Sequence, residues 1–326
     1  MDLKTLIFKN NKPDCSMNYE TSRMDNRLSI SRRSRFIKSY HVFFIIILSS
    51  ILSSCSSSRI PASDNAFFFI QMADPQFGMF TENKDFTRES RNFEKAIEGA
   101  NRLKPSFVIV CGDLVNQANN PSQMAEYKRI SGKIDPSIPI YAVPGNHDIG
   151  NQPSASSLAD YRKNFGADYY SFKSGNLFGI VLNSSLFKDP ALVEDKAAKQ
   201  DQWLKKTLKE AKEKKFTNIV VFQHIPFFLT EPNEKDGYFN IPLERRMKYL
   251  ELFDKYGVKY IFAGHLHKNS VGNYKGIEMV TTGPVGKPLG KDPSGFRIVT
   301  VSKNKIEHQY YSLDSIPSVS SSNERK

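Results

Sequence analysis

The sequence predicts an α/β domain with two sheets, and three observations carry that expectation. From about Ala66 onward, short runs rich in Phe, Ile and Val alternate with helix-like stretches. The runs are apolar throughout, as strands covered on both faces are, while the stretches between them repeat apolar residues every three or four positions. Past Gly264 the texture changes to short strands broken by Gly- and Pro-containing turns, the pattern of an antiparallel sheet.

The elements follow in order. A strand over 66–72 leads to a helix over 86–103, and a strand over 106–111 to a helix over 121–132. Strands over 139–143 and 177–183 flank a helix over 155–165. The helix over 198–214 aligns Trp203, Leu204, Leu208 and Ala211 on one face, ahead of a strand over 217–223. A helix over 243–257 precedes a strand over 258–263. Short strands near 270–274, 277–282, 295–301 and 305–311 complete a domain spanning 65–315, and the Ser-rich residues 316–326 read as a flexible tail. No internal repeat is visible.

The 326 residues are 39% hydrophobic and 12% aromatic, enough for a sizeable core. The net charge of +12 is uneven: residues 1–54 hold nine Lys/Arg against four Asp/Glu, leaving 37 against 30 elsewhere. No basic stripe interleaved with aromatics appears in the remainder, so nucleic acid is not an expected partner. The N-terminal surplus reads instead as an export signal over 1–54, with Met24 as an alternative start. It has a basic stretch (Arg32, Arg33, Arg35, Lys38), an apolar run from Val42 to Leu52, and small residues ending at Cys55. The run is too short for a permanent membrane span. Leu52-Ser53-Ser54-Cys55 resembles the lipobox of bacterial lipoproteins, which implies lipidation of Cys55, a tether over 55–64, and anchoring to a membrane of the bacterial cell envelope. Of three cysteines, Cys15 would be removed and Cys55 acylated, leaving Cys111 alone and no intrachain disulfide.

The chemistry is concentrated in motifs that each follow a strand-like run. Asp74 follows Phe67-Phe68-Phe69-Ile70, and Asp113 follows Val108-Ile109-Val110. Asn146, His147 and Asp148 lie in a GNHD motif after Ile140–Val143. His224 closes Ile219–Phe222, while His265 and His267 lie in GHLH after Tyr260-Ile261-Phe262. Open α/β sheets place their ligands at the carboxyl ends of strands, so six segments are expected to converge on one edge. Each piece alone has an ordinary explanation as a cap or turn residue. Together, carboxylates, amide oxygens and imidazoles form a thiolate-free donor set suited to Mn, Fe or Zn, and two such cations can clamp the attacking and leaving oxygens of a phosphoryl transfer.

Asp74-Pro75-Gln76, Gly112-Asp113, Gly145-Asn146-His147-Asp148, His224 and Gly264-His265-Leu266-His267 resemble the five blocks of the calcineurin-like metallophosphoesterase superfamily. ADPQFG (73–78), GNHDIGN (145–151), KQDQWL (199–204), VFQHIPFFL (221–229) and YYSLD (310–314) bring the likeness to its calcineurin-like phosphoesterase domain-containing serine/threonine phosphatase branch. The resemblance implies a four-layer α/β/β/α sandwich of two mixed sheets with a di-metal site at the strand C-terminal ends. It implies that Asp74, Asp113 and His267 hold one metal and Asp113, Asn146, His224 and His265 the other, with Asp113 bridging. It makes His147 the general acid, oriented by Asp148, opposite a metal-bridging hydroxide. Gln76 stands where the superfamily usually has histidine, an exchange that favours Mn, Mg or Fe over Zn if Gln76 is a ligand.

Two segments are candidates for substrate contact. Phe227, Phe228, Tyr238 and Phe239 surround a polar stretch long enough to overhang the metals, and residues 283–297 combine glycines with Lys287 and Arg297. The expected activity is hydrolysis of phosphate esters on a small molecule or a phosphoprotein. Two alternatives stay open: a phosphodiesterase acting on nucleotides or lipid head groups, and a non-catalytic envelope binding protein that retains the fold.

Overall fold

Strands form where apolar side chains can be sent to both faces of a sheet, and the two faces then decide the layers. A computed structural model describes residues 66–303 and 305–318. The expected export signal, Cys55, the expected tether and most of the expected tail lie outside the described residues. Among the described residues, no helix is long and apolar enough to cross a membrane.

In chain order the elements are β1 (Phe67–Met72), α1 (Thr87–Leu103), β2 (Val108–Cys111), α2 (Pro121–Ser131), β3 (Ile140–Val143), α3 (Asn146–Ile149), α4 (Ala155–Phe165), β4 (Tyr170–Ser174), β5 (Leu177–Val181), α5 (Ser185–Lys188), α6 (Glu194–Glu213), β6 (Asn218–Phe222), α7 (Leu243–Tyr256), β7 (Val258–Ala263), β8 (Ser270–Tyr274), β9 (Ile277–Thr281), β10 (Gly295–Val301) and β11 (Ile306–Ser312). Local chemistry sets several boundaries. Asn120 caps α2 by accepting from the backbone N–H of Ser122 and Gln123, with Pro121 at the first helical position. Ser154 caps α4 in the same manner, and α7 ends on Gly257 at φ 80°.

One sheet has the order β11-β10-β1-β2-β3 and the other β4-β5-β6-β7-β9-β8. β1, β2 and β3 are mutually parallel, as are β5, β6, β7 and β9; β10 runs antiparallel between β11 and β1 in the first sheet, and β4 and β8 are the antiparallel edges of the second. Both sheets are therefore mixed.

The period-two alternation of the strands sorts the core into three layers. Ile70, Met72, Val108 and Val110 face Phe93 and Ile97 of α1, Ile130 of α2 and Leu158 of α4. Their sequence neighbours Phe69, Ile109 and Cys111 face the other way, meeting Val220, Phe222 and Phe262 of the second sheet. On the far side, Val221 and Ile261 meet Leu204 and Leu208 of α6 and Leu250 and Phe253 of α7. The result is the expected α/β/β/α sandwich. Its middle layer is aromatic: Phe69 stacks on Phe107 at 4.6 Å and meets Phe222 and Phe262 edge-on at 5.6 and 5.8 Å.

Three expectations are corrected. The four C-terminal strands do not form a sheet of their own: β8 and β9 extend the second sheet beside β7, and β10 and β11 extend the first beside β1. β4 went unrecognised because it is an edge strand of mixed exposure, with no apolar run to mark it. Ile316, assigned to the tail, packs against the first core layer.

Candidate metal centre

The parallel strands of both sheets deliver their C-terminal ends to one place, and each chemical residue sits in the turn that follows. Asp74 comes two residues after β1, Asp113 two after β2, Asn146 opens α3 beyond β3, His224 lies two after β6, and His265 two after β7. Asp74, Gln76, Asp113, His265 and His267 all hold positive φ between 41° and 71°. That region is costly for residues with a Cβ and persists where surrounding bonds over-determine it, as at functional sites. Here the bonds are visible. Asp74 N–H donates to Gly112 O (3.1 Å), Gln76 N–H to Asp113 O (2.9 Å), and Gly286 N–H to Asp74 O (3.0 Å). Gly264 permits a close approach, since a Cβ there would lie 2.5 Å from Asp74 Oδ2.

The side chains form two donor groups that share one residue. Asp74, Asp113 and His267 make one, and Asp113, His224 and His265 the other, each with ligand atoms within 4.8 Å of one another. Asn146 joins the second through Oδ1, 3.0 Å from His224 Nε2. All seven expected donors, Gln76 included, are at most 4% exposed. A dry pocket with two carboxylates and no lysine or arginine paired to them favours cations.

Whether these residues fit a metal pair can be read from their outward-facing atoms. His224 Nδ1 donates to Cys111 O (2.9 Å), His265 Nε2 to Tyr238 O (3.2 Å) and His267 Nδ1 to Lys287 O (2.5 Å). Each carbonyl fixes its ring in the tautomer that turns a lone pair toward the carboxylates, which is how metal-binding imidazoles are oriented. Asn146 spends both amide N–H bonds on Asn151 Oδ1 (3.0 Å) and Tyr238 Oη (3.1 Å), leaving Oδ1 for the centre. Gln76 donates from Nε2 to Asn116 Oδ1 (3.1 Å), while its Oε1 is buried without any hydrogen-bond partner. A buried acceptor left unpaired is costly, and a cation would satisfy it. The donor set fits a binuclear divalent centre.

The charges interact strongly. Burial alone would raise the Asp113 carboxyl, but adjacent His224 outweighs it and holds Asp113 below the usual carboxylate range. Burial opposes charging of His224, and Asp113 overcomes that penalty and pushes the imidazole up to about 9. His265 goes the other way, to about 3, because it is buried and faces His224.

His147 is arranged differently from the expectation. Its backbone N–H donates to Asp113 Oδ1 (2.8 Å), and its Nδ1 donates to Asn116 O (2.7 Å), leaving Nε2 without a hydrogen-bond partner among the described residues. Asp148 does not orient this ring. Its carboxylate accepts from Gly145 N–H (2.7 Å) and Val115 N–H (3.1 Å), tying the GNHD turn to the loop after β2. Burial and the nearby Asp113 push Asp148 up to about 8. Asn116 thus holds both Gln76 and His147, a residue the sequence reading missed because nothing but its proximity to Asp113 signals it.

The expected substrate contacts separate. Phe227 and Phe228 are fully buried in the layer facing α6 and α7, so they cannot touch a substrate. Arg297 is 5% exposed and committed to Thr282 Oγ1 (2.9 Å), Asn269 Oδ1 (2.7 Å) and His308 Nδ1 (2.9 Å), a strut between the sheets rather than a phosphate clamp. Lys287 borders the site through its carbonyl, while its Nζ reaches toward Met79 O at 3.4 Å. From the same loop as the two phenylalanines, Tyr238 does reach the centre, its ring 4.8 Å from that of His265.

Comparison with known proteins agrees with this geometry. The Metallophos family model, described as calcineurin-like phosphoesterase, matches residues 69–269. Serine/threonine-protein phosphatase CPPED1 of Homo sapiens is 38% identical over 266 residues, covering 77% of this chain and 85% of the human one. Among solved structures, purple acid phosphatase PPD1 from yellow lupin aligns with a TM-score of 0.60 at 15% identity, covering 78% of this chain and 52% of that one. A dimetal phosphatase from Danio rerio aligns at 0.57 and 14% identity, covering 76% and 96%. Those two likenesses speak to the fold, and the family match and the human relative carry the assignment: the chain belongs to the calcineurin-like phosphoesterase family.

Proposed function

We propose that this protein is a metal-dependent phosphomonoesterase, with phosphoserine and phosphothreonine in proteins among its substrates. The observation that carries this reading is the pair of buried donor groups sharing Asp113, with His147 bonded beside them. When bound, a cation pair supplies neutralisation of phosphate charge and an acidified water as nucleophile. The protein's own residues do the rest. Asp74, Asp113 and His267 would hold one ion, with Gln76 Oε1 completing the set, and Asp113, Asn146, His224 and His265 the other. His147 would give the Nε2 proton to the departing oxygen, with Asn116 O holding Nδ1–H and so stabilising the charged ring. Amide oxygens from Gln76 and Asn146 in a thiolate-free set support Mn or Fe, with Zn next. The protein-phosphatase element is supported by the name of the human relative. The basic, apolar and small-residue stretches ahead of Cys55 support export and lipid anchoring in a bacterial envelope.

The test is reconstitution with Mn, Fe, Zn or Mg, followed by assay on para-nitrophenyl phosphate, its bis ester and phosphoserine peptides. Monoester turnover should exceed diester turnover. His147→Ala should lose on the order of 10²- to 10⁴-fold in turnover while bound metal stays. Metal-replete protein inert on every monoester would defeat the reading.

A further inference from the structure

The loop between β6 and α7 brings one exposed aromatic side chain to the metal centre. Tyr238 is 50% exposed, and its ring lies tilted at 39° and 4.8 Å from that of His265. Phe239 backs it edge-on at 5.1 Å and lies 5.5 Å from His265. Exposed rings are often mobile, but this one is held at three points. Its hydroxyl accepts from Asn146 Nδ2 and its carbonyl accepts from His265 Nε2. The surrounding loop is pinned by the buried Arg246, which donates to the carbonyls of Pro232, Glu234 and Ile241 at 2.8 to 2.9 Å, and by Lys188, which donates to Asn240 O at 2.6 Å. A half-exposed apolar face, fixed beside donor atoms that would hold the phosphate-binding cations, is a preorganised contact for whatever carries that phosphate.

We propose that Tyr238, backed by Phe239, selects phosphate esters whose leaving group presents a flat apolar face, so that aryl phosphates, phosphotyrosine included, are favoured over alkyl phosphates. The inference rests on the phosphomonoesterase reading and deepens it. An aromatic pair in offset or edge contact contributes enough to favour an aryl over an alkyl group by about three- to tenfold.

Aryl phosphates are intrinsically more reactive, so the quantity to follow is the ratio of kcat/KM for a phosphotyrosine peptide to that for a phosphoserine peptide of the same sequence. Taking the ratio within one preparation cancels any fraction of misfolded or metal-poor protein. Tyr238→Ala should lower this ratio about three- to tenfold relative to wild type, and Tyr238→Phe should keep it within about twofold. In parallel, the metal-loaded wild type should bind phenylphosphonate more tightly than methylphosphonate by a margin that Tyr238→Ala removes. An unmoved ratio in Tyr238→Ala, or an equal fall in Tyr238→Phe, overturns the proposal. Wild type that hydrolyses neither peptide would defeat the phosphatase reading instead, and the phosphonate binding margin would still decide the role of the ring.

Discussion

Replacing Gly145 by alanine tests the compactness of the centre with a single methyl group. Gly145 has φ −108° and ψ 172°, extended backbone that any residue adopts, so the substitution adds no conformational strain. Its effect comes from contact alone. The new Cβ would lie 2.1 Å from the Asp113 amide nitrogen and 2.2 Å from Asp113 Oδ1, distances that real Cβ atoms do not show below 3.0 Å. Asp113 and the GNHD turn must therefore separate by at least about 0.9 Å, close to the ~1 Å misplacement that can cost ~10²-fold in rate. Asp113 is common to both donor groups, and its Oδ1 also accepts from His147 N–H, so one displacement disturbs both ions and the proposed acid. A loss of about 100-fold in kcat/KM, or about 2.7 kcal/mol, is expected together with reduced bound metal. The stability cost of overpacking should be ~1–3 kcal/mol, leaving a folded protein.

The assay pairs kcat/KM on para-nitrophenyl phosphate with elemental analysis of bound metal and a thermal melt. Gly166→Ala is the contrasting control. It has φ 94° with nothing within 4 Å of the added Cβ, so it should lose stability through backbone strain and keep both metal and activity. A Gly145→Ala protein with full metal and activity within twofold of wild type would refute the placement of Asp113 against the GNHD turn.

Asn116→Ala removes the side-chain bonds to Gln76 (3.1 Å) and Asn83 (2.8 Å) but keeps the carbonyl that holds His147. Metal should bind about 10- to 100-fold more weakly in a chelator titration, as when outer partners of metal ligands are lost. In metal-free protein, His224 raised to about 9 means the folded chain binds a proton that the unfolded chain, near 6.5, has released. Asp148, raised to about 8, acts in the same direction. Stability of the apoprotein should therefore fall as pH rises from about 7 through 9, whereas metal competing for the His224 lone pair should abolish that decline; melts across this range at fixed salt check it. Arg297→Met strips three donors from buried Thr282 and partly buried Asn269 and His308, so urea unfolding should show a loss of about 2–5 kcal/mol with kcat/KM per folded molecule nearly unchanged. Intact stability with collapsed kcat/KM would return Arg297 to the substrate.

The donors themselves were legible because each follows a strand whose apolar run is visible in sequence, and parallel strands carry their ends to a common edge whatever the order of the sheet. Sheet order was less legible. Nothing local distinguishes the hairpin of β8 and β9 from that of β10 and β11: Val280 and Val299 both face the layer between the sheets, and the two hairpins differ only in the distant strand each pairs with, β7 for β9 and β1 for β10. Partner choice around the metals was hidden for a similar reason. Asp148 adjoins His147 in the chain, yet the turn of α3 sends its carboxylate to Gly145 and Val115, and a backbone carbonyl, which carries no sequence signature, takes the histidine instead.

The aromatic loop shows the same limit most sharply. Phe227, Phe228, Tyr238 and Phe239 are four aromatics in one segment, and composition treats them alike. The first two come five and six residues past the end of β6 and fall into the layer above α7, where burying them contributes roughly 1.5–3 kcal/mol each. Tyr238 lies ten or more residues on, past Glu234 and Asp236, where Arg246 and Lys188 pin the loop by binding its carbonyls. Those bonds fix which ring faces the metals, and a cation on α7 that looks in sequence like a solvated charge is what aims the tyrosine. The ring proposed to meet the leaving group is thus held in place through a buried arginine outside the metal-binding blocks, which is why a substrate cannot be read from those five blocks however clearly they declare the chemistry.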